Sequence, residues 1–578
     1  MSVMQGEEVS TSILVVIAGI LIVGVAIAKA AEKYRVPHPI PLVFTGLLLG
    51  RIVVMMDPAI GLIEFTGFDF IAQLTLATVL FYAGLTLNLR ELRLSLVNVM
   101  LLATAGVIAT SLIGGFAIAA ALQLGIAAFL IGAILSPTDP AALFSVLEAG
   151  GVRVKRKLFS ILEGEAVFND ATSVILVITV FVPFVIGSHL PDAAITNWWL
   201  IIAEFSASMG LGVILGFVVA NITGRAILRA EEDTSVSILT VTTPFLAYGL
   251  GELISLTTGF EIHPGALAAV FAGIFMANAR RIGMQPLPQR SMRGVMKNAS
   301  FFFEIVVFIL LGYTLSVPLI AGHPETETIS FLVANPGVVQ LGLITSILVI
   351  LVARPISVFL VTSVDRKMGF KERIFLSWAG VKGVASAALA AISVSAIIHE
   401  ASTLPAGPTK DAYINSILTV IPSVYAIVFI VLTVSLVVQG LSTSWLAGKL
   451  NLVEGQDRAK EITVHRDATR QALLRLVDLY TESQIDPDIY SLLKSELEEE
   501  IFRLEDELRR VVSERRARLQ ELRTREEIFK AKLEFYRRQF EEGRIGEGTY
   551  QEIRSELEAQ IEEILNRIKH QMEGLQSD

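Results

Sequence analysis

Two short polar stretches interrupt a long apolar part of the chain. The first, Pro137–Pro140, reads Pro-Thr-Asp-Pro, and the second, Glu163–Asp170, carries three carboxylates and an asparagine. A charged side chain at the centre of a bilayer costs at least about 2.5 kcal/mol, so carboxylates there should line a pathway or pair with cations. The first candidates for chemistry are therefore Asp139, Glu163, Glu165 and Asp170.

The proline pair should unwind its segment. Pro137 and Pro140 remove backbone donors and disfavour helical geometry in the residue before each ring. The freed carbonyls and the hydroxyl of Thr138 then become candidate oxygen ligands. Irregular backbone at membrane depth is tolerated only where it lines a cavity, and secondary transporters coordinate cations at such broken helices. This segment is therefore a candidate cation site.

The second stretch adds a carboxylate that can have two occupants. Glu163 and Asp170 are seven residues apart and share one helix face. Glu165 and Asn169 are four residues apart and share a neighbouring face. The Asp170 carboxylate can bind a hard cation through oxygen, or it can bind a proton. One site with two mutually exclusive occupants is what an exchanger needs.

Together these motifs resemble the NhaP/NHE branch of the monovalent cation/proton antiporters, the cation:proton antiporter-1 family. In that family an Asn before the transporting Asp goes with electroneutral one-for-one exchange. The resemblance implies alternating access with Asp170 as carrier and Na⁺ held at Asp170 and Thr138. By the resemblance Asn169 and Thr138 bind or position the occupant, and Asp139 and Glu165 are further candidate residues for binding a cation or a proton. A preference for K⁺ is the alternative within the same mechanism.

Several of these residues have a second interpretation. By the resemblance, Glu165 forms a buried ion pair with Arg354 of a later span, and Glu163 is a possible pathway residue. The alternative is that Asp139, Glu163 and Glu165 only hold helices together through ion pairs.

Other function classes fit the sequence less well. A channel usually shows a carbonyl-rich filter or a ring of charge, which this sequence lacks. An intramembrane hydrolase could use Asp139 and Asp170 as facing carboxylates, but Thr138 and Asn169 fit oxygen coordination better. The sequence contains no phosphate-binding loop and no zinc spacing. We therefore expect no cofactor and no enzymatic activity, with a monovalent cation and a proton as cargo.

The elements that must position these residues are membrane spans. The chain has 578 residues, of which 53% are hydrophobic, and a mean hydropathy of +0.63, which predicts an all-α polytopic membrane protein. Spans 1–6 and 8–13 should form inverted repeats around a linking seventh, with spans 5 and 12 broken and crossing. Runs long enough to cross number about thirteen, centred near residues 20, 45, 78, 108, 136, 173, 209, 246, 270, 308, 348, 385 and 429.

The twelfth span is the predicted counterpart of the proline-broken fifth. Gly380 and Gly383 should loosen its helix around a single Lys382. Crossing of the two breaks would place Lys382 near the carboxylates, where it balances their charge. The pattern resembles the family's Gly-x-Arg-Gly, with Lys in place of Arg. The alternative is a lysine that snorkels to an interface.

Two positions depart from the family pattern, and two further carboxylates lie outside the motifs described above. Tyr82 stands where many members carry a carboxylate, and Ala166 stands where a Ser is common. Tyr82 is a possible pathway residue or an ordinary packed aromatic. Glu252 and Glu304 resemble positions that line the cytoplasmic or dimer-facing parts, and each could instead form a structural ion pair. The resemblance also implies a homodimer with a membrane-embedded interface.

Charge sets the expected orientation. Alternate loops hold 20 Lys and Arg residues, whereas the intervening loops hold only Arg51 and Lys410. The positive-inside rule therefore places the N-terminus outside and the tail in the cytoplasm, in the plasma (inner) membrane. The first apolar run follows acidic residues and has no cleavage pattern, so it is expected to be a retained span.

The polar tail is a separate domain. We predict a membrane domain at 1–448, a linker at 449–464 and a soluble helical domain at 465–578. The tail holds 30 acidic and 22 basic residues from 451 onward, which gives no case for nucleic acid. A repeat of sixty residues links Ile485–Ile501 to Ile545–Ile561, and coiled-coil spacing lies between the two copies. The tail either binds an unknown regulator or serves assembly.

Overall fold

The structure is a computed structural model of the chain. It divides into two compact units, residues 1–146 with 154–452, and residues 147–153 with 453–578. The residues that it describes are 19, 21–31, 33, 37–56, 66–87, 89–122, 125–139, 143–144, 147, 152, 154–190, 198–230, 232–320, 323–366, 368–405, 407–453, 457–481, 485–511, 514–541, 544–548, 550–551, 553–558, 560–561 and 564–565.

In the described part of the first unit the helices have the following bounds, with the short 3₁₀ turns left out. The helices are α1 Leu21–Ala31, α2 Pro39–Met56, α3 Thr66–Thr86, α4 Leu89–Leu101 continued by Leu102–Gly106 and Val107–Leu122, α5 Ala127–Ile134, α6 Arg156–Ile175 continued by Leu176–Phe181 and Val182–Ser188, α7 Trp198–Leu228, α8 Asp233–Thr258, α9 Gly265–Ala277, α10 Gln289–Leu315, α11 Thr328–Ala334, α12 Pro336–Ile347 continued by Leu348–Ala353 and Arg354–Val361, α13 Phe370–Trp378, α14 Val384–Thr403, α15 Pro408–Ile417 and α16 Val420–Val434 continued by Ser435–Gly440 and Leu441–Lys449.

The helices agree with the predicted all-α membrane fold. Within the described residues, nine helical stretches are long and apolar enough to cross a membrane, and α1, α2 and α9 are shorter apolar helices. The predicted centre near residue 136 falls just after α5, and the centre near 20 immediately precedes α1. The other predicted centres each fall inside a separate helix. The count of thirteen spans stays a prediction.

Within the described residues of the first unit, four helices contain a π-helical segment. These segments are Leu102–Gly106 in α4, Leu176–Phe181 in α6, Leu348–Ala353 in α12 and Ser435–Gly440 in α16. They correspond to predicted spans 4, 6, 11 and 13, which flank the two spans expected to be broken. The order of π-helix, break and π-helix therefore occurs twice, once in each predicted repeat. Such segments are often found at functional sites.

Two close helix crossings follow the same symmetry. A Cβ on Gly46 of α2 would collide with the carbonyl of Ile309 on α10, and a Cβ on Gly84 of α3 would collide with the carbonyl of Val270 on α9. Small residues let helix backbones approach this closely in membranes. Under the predicted repeat, spans 2 and 3 correspond to spans 9 and 10, so the two crossings are equivalent.

The second unit contains three long helices in its described part, α17 Asp457–Thr481, α18 Pro487–Val511 and α19 Glu514–Glu541. Helix α17 packs against α18. It begins inside residues 449–464, which were predicted to be a linker, because that sequence is charged and carries few residues that disfavour a helix.

The turns of the second unit repeat at a spacing of sixty residues. Tyr480 stacks on Tyr490 with ring centroids 4.1 Å apart, and Phe540 stacks on Tyr550 at 4.8 Å. The Tyr490 N–H donates to the carbonyl of Asp486, and the Tyr550 N–H donates to that of Gly546. The sequence repeat thus coincides with a repeated local structure.

Candidate cation and proton site

The site is built where two helices lose regular structure. Helix α5 ends at Ile134, and residues 137–139 have no regular conformation, while α13 ends at Trp378 and residues 380–383 are likewise irregular before α14 begins. The N–H of Asp139 donates to the carbonyl of Val381 at 2.7 Å. Each broken helix thus supplies a partner for backbone groups that the other leaves open. The two predicted breaks are present and cross.

The glycines of the second break make room for the first. A Cβ on Gly383 would collide with the carboxylate of Asp139. A Cβ on Gly380 would lie 2.9 Å from Nε of Arg354 and 3.2 Å from Cγ2 of Thr138. Both predicted helix-breaking glycines therefore also allow close approach. Of the prolines, Pro137 lies in the irregular stretch, whereas Pro140 lies outside the described residues.

The predicted ion-binding residues come together beside this crossing. The amide Nδ2 of Asn169 donates to Oγ1 of Thr138 at 2.8 Å. Asn169 is fully buried, and Thr138 and Asp170 are also buried. Among the described residues, Oδ1 of Asn169 and Oδ1 of Asp170 have no hydrogen-bond partner. Buried acceptors normally have partners, so these two oxygens are candidate ligands for a cation or, at Asp170, for a proton.

The composition of the site suits a monovalent occupant. In the part of the chain that the structure describes, no group of three or more His, Asp or Glu residues could hold a metal ion. Beside the carboxylates of Asp139 and Asp170, the neutral oxygens described at the site are the amide oxygen of Asn169 and the hydroxyl of Thr138. A donor set with so little charge matches a singly charged cation better than a divalent one.

Lys382 faces the first break. Its side chain is 1% exposed, and Nζ donates to the carbonyls of Pro137 at 3.2 Å and Ser136 at 3.4 Å. Burial at this depth excludes the alternative of a lysine that snorkels to an interface. Its charge acts on the carboxylate of Asp170, as does that of Asp139. The structure thus places Lys382 beside the first break, and its role in balancing charge stays a prediction.

Glu165 and Arg354 form a buried ion pair. Nη1 of Arg354 lies 2.6 Å from Oε1 of Glu165, and the two side chains are 2% and 1% exposed. Arg354 directly follows the π-helical segment of α12. A buried pair of this kind does not have to stabilise the fold, but each charge depends on the other.

Two of the possible pathway residues contact a histidine. Glu304 lies 2.9 Å from Nε2 of His38, and Glu252 lies 2.7 Å from Nδ1 of His263. These contacts favour the interpretation of both carboxylates as structural partners. Glu163 on α6 and Tyr82 on α3 are half-buried, and their roles stay predictions.

His263 lies in the loop between α8 and α9, between two carboxylates. Burial lowers the pKa of its imidazole, but hydrogen bonds to Glu252 and Glu261 and the charge of both groups outweigh this effect. The pKa of His263 is raised to about 9. The hydrogen bond from His263 also lowers the pKa of Glu261. The histidine is therefore charged at neutral pH and joins the two helices.

Two polar residues of α16 contact the second break and were not predicted. Ser435 accepts the N–H of Lys382 at 2.9 Å, and Gln439 donates to the carbonyl of Trp378 at 2.8 Å. A Ser and a Gln four residues apart in a mostly apolar span were a usable sequence feature. They were overlooked because neutral polar side chains in helices commonly bond their own backbone.

Comparison with known proteins identifies the family. The model of the family described as "Sodium/hydrogen exchanger, transmembrane" matches residues 17–449. The chain belongs to this family. It is therefore a multi-pass membrane protein and a cation/proton antiporter, and not an enzyme.

Individual relatives of the antiporter are similar over most of their length. The K(+)/H(+) antiporter NhaP of Alkalimonas amylolytica is 28% identical, over 80% of this chain and 71% of that protein. The low-affinity Na(+)/H(+) antiporter NhaS1 of Synechocystis is 25% identical, over 81% of each. The solved sodium proton antiporter MjNhaP1 of Methanocaldococcus jannaschii, at pH 8, has a TM-score of 0.60 at 22% identity, covering 74% of this chain and 98% of that one. This structural similarity shows that the chain shares its fold with that antiporter.

Proposed function

We propose that the antiporter exchanges Na⁺ for H⁺ one for one, with Asp170 binding either ion in turn. The observation that carries this proposal is the buried carboxylate of Asp170, whose Oδ1 has no hydrogen-bond partner among the described residues, next to the hydrogen-bonded pair of Asn169 and Thr138. A proton and a sodium ion cannot occupy Asp170 together, so the arrival of one releases the other.

The charges around the crossing support a stoichiometry of one. Glu165 and Arg354 cancel each other within their ion pair. Lys382 offsets one of the two carboxylates Asp139 and Asp170, whose charges act on each other. One negative charge remains in a low-dielectric place, and one monovalent cation or one proton neutralises it. Both loaded states then carry the same charge, which makes the exchange electroneutral.

Access to Asp170 alternates between the two sides of the membrane in this proposal. The breaks in spans 5 and 12 hold the site, so they move together against a scaffold that forms a homodimer. In secondary transporters, rocking of one repeat against the other exposes a fixed site to each side. We place the N-terminus outside and the tail in the cytoplasm of the plasma (inner) membrane, where the tail binds a regulator or contributes to assembly.

Potassium is the second candidate cargo. The relative from Alkalimonas amylolytica is named as a K(+)/H(+) antiporter, whereas that from Synechocystis is named as a Na(+)/H(+) antiporter. The site chemistry of one carboxylate, one amide and one hydroxyl serves either ion. Sodium is the main proposal.

Proton efflux from acid-loaded proteoliposomes tests the proposal. Sodium should release protons at a rate that is the same with the membrane potential clamped or released. Asp170→Asn should abolish this flux in a protein that elutes normally, whereas Glu261→Gln, a matched change in an exposed loop carboxylate, should keep it. Flux that follows the potential would refute the one-for-one stoichiometry. Retained flux in Asp170→Asn would refute the carrier, and a faster response to potassium would name K⁺ as the cargo.

A further inference from the structure

The irregular segment that carries Lys382 has backbone groups that its own helices leave open. Helix α13 ends at Trp378, so the Trp378 carbonyl lies in the last turn, where carbonyls have no helical partner. The N–H of Lys382 lies in the irregular residues before α14. Both groups are nevertheless hydrogen-bonded, and both partners come from the π-helical segment Ser435–Gly440 of α16.

The two partners are joined to each other. Oγ of Ser435 donates to Oε1 of Gln439 at 2.5 Å. Nε2 of Gln439 donates to the Trp378 carbonyl at 2.8 Å, which leaves Oε1 as the acceptor. Ser435 uses its proton toward Gln439, so its lone pair is available for the Lys382 N–H at 2.9 Å. The hydrogen bonds therefore run without interruption from the Trp378 carbonyl through Gln439 and Ser435 to the N–H of Lys382.

The two side chains that form these hydrogen bonds are buried, and the bonds have a definite direction. Ser435 and Gln439 are both 0% exposed. A buried polar group that loses its partner is left unsatisfied, so each bond matters more than it would at a surface. The four-residue spacing inside a π-helical segment places both side chains toward the second break.

Lys382 is consequently held at both of its ends. Ser435 holds its backbone, and the carbonyls of Ser136 and Pro137 accept from its Nζ. Those carbonyls directly precede Thr138, which accepts from Asn169. A displacement of the Lys382 backbone therefore changes the position of its charge relative to Asp170.

We propose that Ser435 and Gln439 are positioning residues, which hold the unwound segment after α13 so that the Lys382 ammonium group lies against the broken fifth span. This inference rests on the proposed exchange at Asp170 for its functional part. Neither residue contacts the transported ion, and both act through Lys382.

Four variants separate this role from general stability. Ser435→Ala removes the acceptor for Lys382 and the donor to Gln439, while Ser435→Thr keeps a hydroxyl. Gln439→Met keeps the length of the side chain and removes both of its hydrogen bonds. The matched control is Ser442→Ala, because Ser442 lies three residues further along α16 and accepts from the Trp378 indole, at 2.8 Å, instead of from the break.

Two measurements are made on the full-length protein. Sodium-driven proton flux in proteoliposomes gives the apparent KM for Na⁺, the maximal rate and the pH profile. Hydrogen–deuterium exchange gives the protection of the peptide that contains residues 379–383. Ser435→Ala and Gln439→Met should raise the apparent KM by about three- to tenfold, which is the factor that one buried hydrogen bond supplies, or should shift the pH profile. The same peptide should exchange faster.

The expected pattern includes rescue and an unaffected control. Ser435→Thr should return the KM and the deuterium uptake toward those of the unmodified protein, and Ser442→Ala should leave both unchanged. Faster uptake with an unchanged KM and pH profile would overturn the positioning role, as would unchanged uptake in both Ser435→Ala and Gln439→Met. Absence of sodium- or potassium-driven flux in the unmodified protein would refute the proposed function instead, and the deuterium uptake would still decide whether the two residues hold the segment.

Discussion

Single residues in this site depend on partners that are far away in sequence. Glu165 lies on α6 and Arg354 lies on α12, yet their charged atoms lie 2.6 Å apart and are almost completely buried. Removing one member leaves the other as an uncompensated buried charge. Removing both leaves two neutral groups, which a protein interior tolerates better.

A double-mutant cycle should therefore be strongly non-additive. Arg354→Gln and Glu165→Gln should each lower the free energy of unfolding by about 3–5 kcal/mol, and the double variant should lose less than the sum of the two. Thermal unfolding of the detergent-solubilised protein measures all three. Additive losses would mean that the ion pair is not formed in the folded protein.

His263 allows a prediction about pH. Its pKa is raised to about 9 in the folded protein from an ordinary value of 6.5, so the charged imidazole stabilises the folded state. This contribution is fully present below about pH 6.5 and is lost as the pH rises through about 9. We expect His263→Gln to cost about 1–3 kcal/mol at pH 6, discounted for the partly exposed Glu252 and Glu261, and almost nothing at pH 10.

Melting temperatures of the unmodified protein and of His263→Gln, compared across that pH range, give the result. A difference that stays constant with pH would show that the two carboxylates do not hold a charged histidine. Glu204 is a further carboxylate near His263. It is buried, and its Oε1 accepts the N–H of Glu261 at 3.3 Å. It should be left unchanged in the comparison.

At the level of residues, the sequence reveals the polar and charged side chains that are unfavourable in the hydrocarbon core of a membrane. Asp170, Thr138 and Lys382 were recognisable because each is a polar group in an apolar span. The hydrogen bonds of Gln439 were not recognisable, since a neutral polar side chain in a span has several possible partners and only the tertiary structure chooses between them.

At the scale of helices, a glycine in the second of the two broken spans has a role beyond the predicted one. Gly383 was expected to loosen a helix. The structure adds a spatial requirement, because the Asp139 carboxylate occupies the place where a Cβ would be. That requirement depends on how the fifth and twelfth spans cross, which no local sequence pattern contains.

Gly383→Ala should consequently disturb both the fold and the site. Overpacking of this kind typically costs about 1–3 kcal/mol, and the displaced Asp139 would alter exchange as well. The matched control is Gly369→Ala before α13, where a Cβ would meet no atom within 4 Å and the backbone φ of −74° suits any residue. Melting temperature and sodium-driven flux measure the two effects. Equal behaviour of the two variants would show that the breaks do not approach as closely as described.

The π-helical segments mark the limit of prediction at the scale of helices. The apolar runs gave the positions of the helices that contain them, because length and hydropathy are local properties. The extra residue in each π-helical turn is not visible in those runs. Ser435–Gly440, for example, differs from its neighbours mainly by two polar side chains. Only the comparison of spans 4, 6, 11 and 13 makes the repeated arrangement apparent.

For the whole molecule, the inverted repeat and the charge of the loops together predict how the protein is oriented in the membrane. Basic residues concentrate in alternate connecting segments, and one of these is residues 365–373, which extend into the first turn of α13. Helices α13 and α14, with the irregular residues between them, lead from that loop to the loop before α15. If the broken pair forms one span, the two loops lie on opposite sides of the membrane.

The absence of cysteine from the chain makes this orientation directly measurable. Each introduced Cys is the only thiol, so labelling has no background. In intact cells, a membrane-impermeant maleimide should label Thr409→Cys and should not label Lys371→Cys until the membrane is permeabilised, because both positions are exposed but the proposed orientation puts the basic segment in the cytoplasm. The reverse pattern would invert the orientation of the whole protein, tail included. Labelling of both from the outside would mean that the broken twelfth span does not cross, and the site at Asp170 would then lack the two-sided access on which exchange depends.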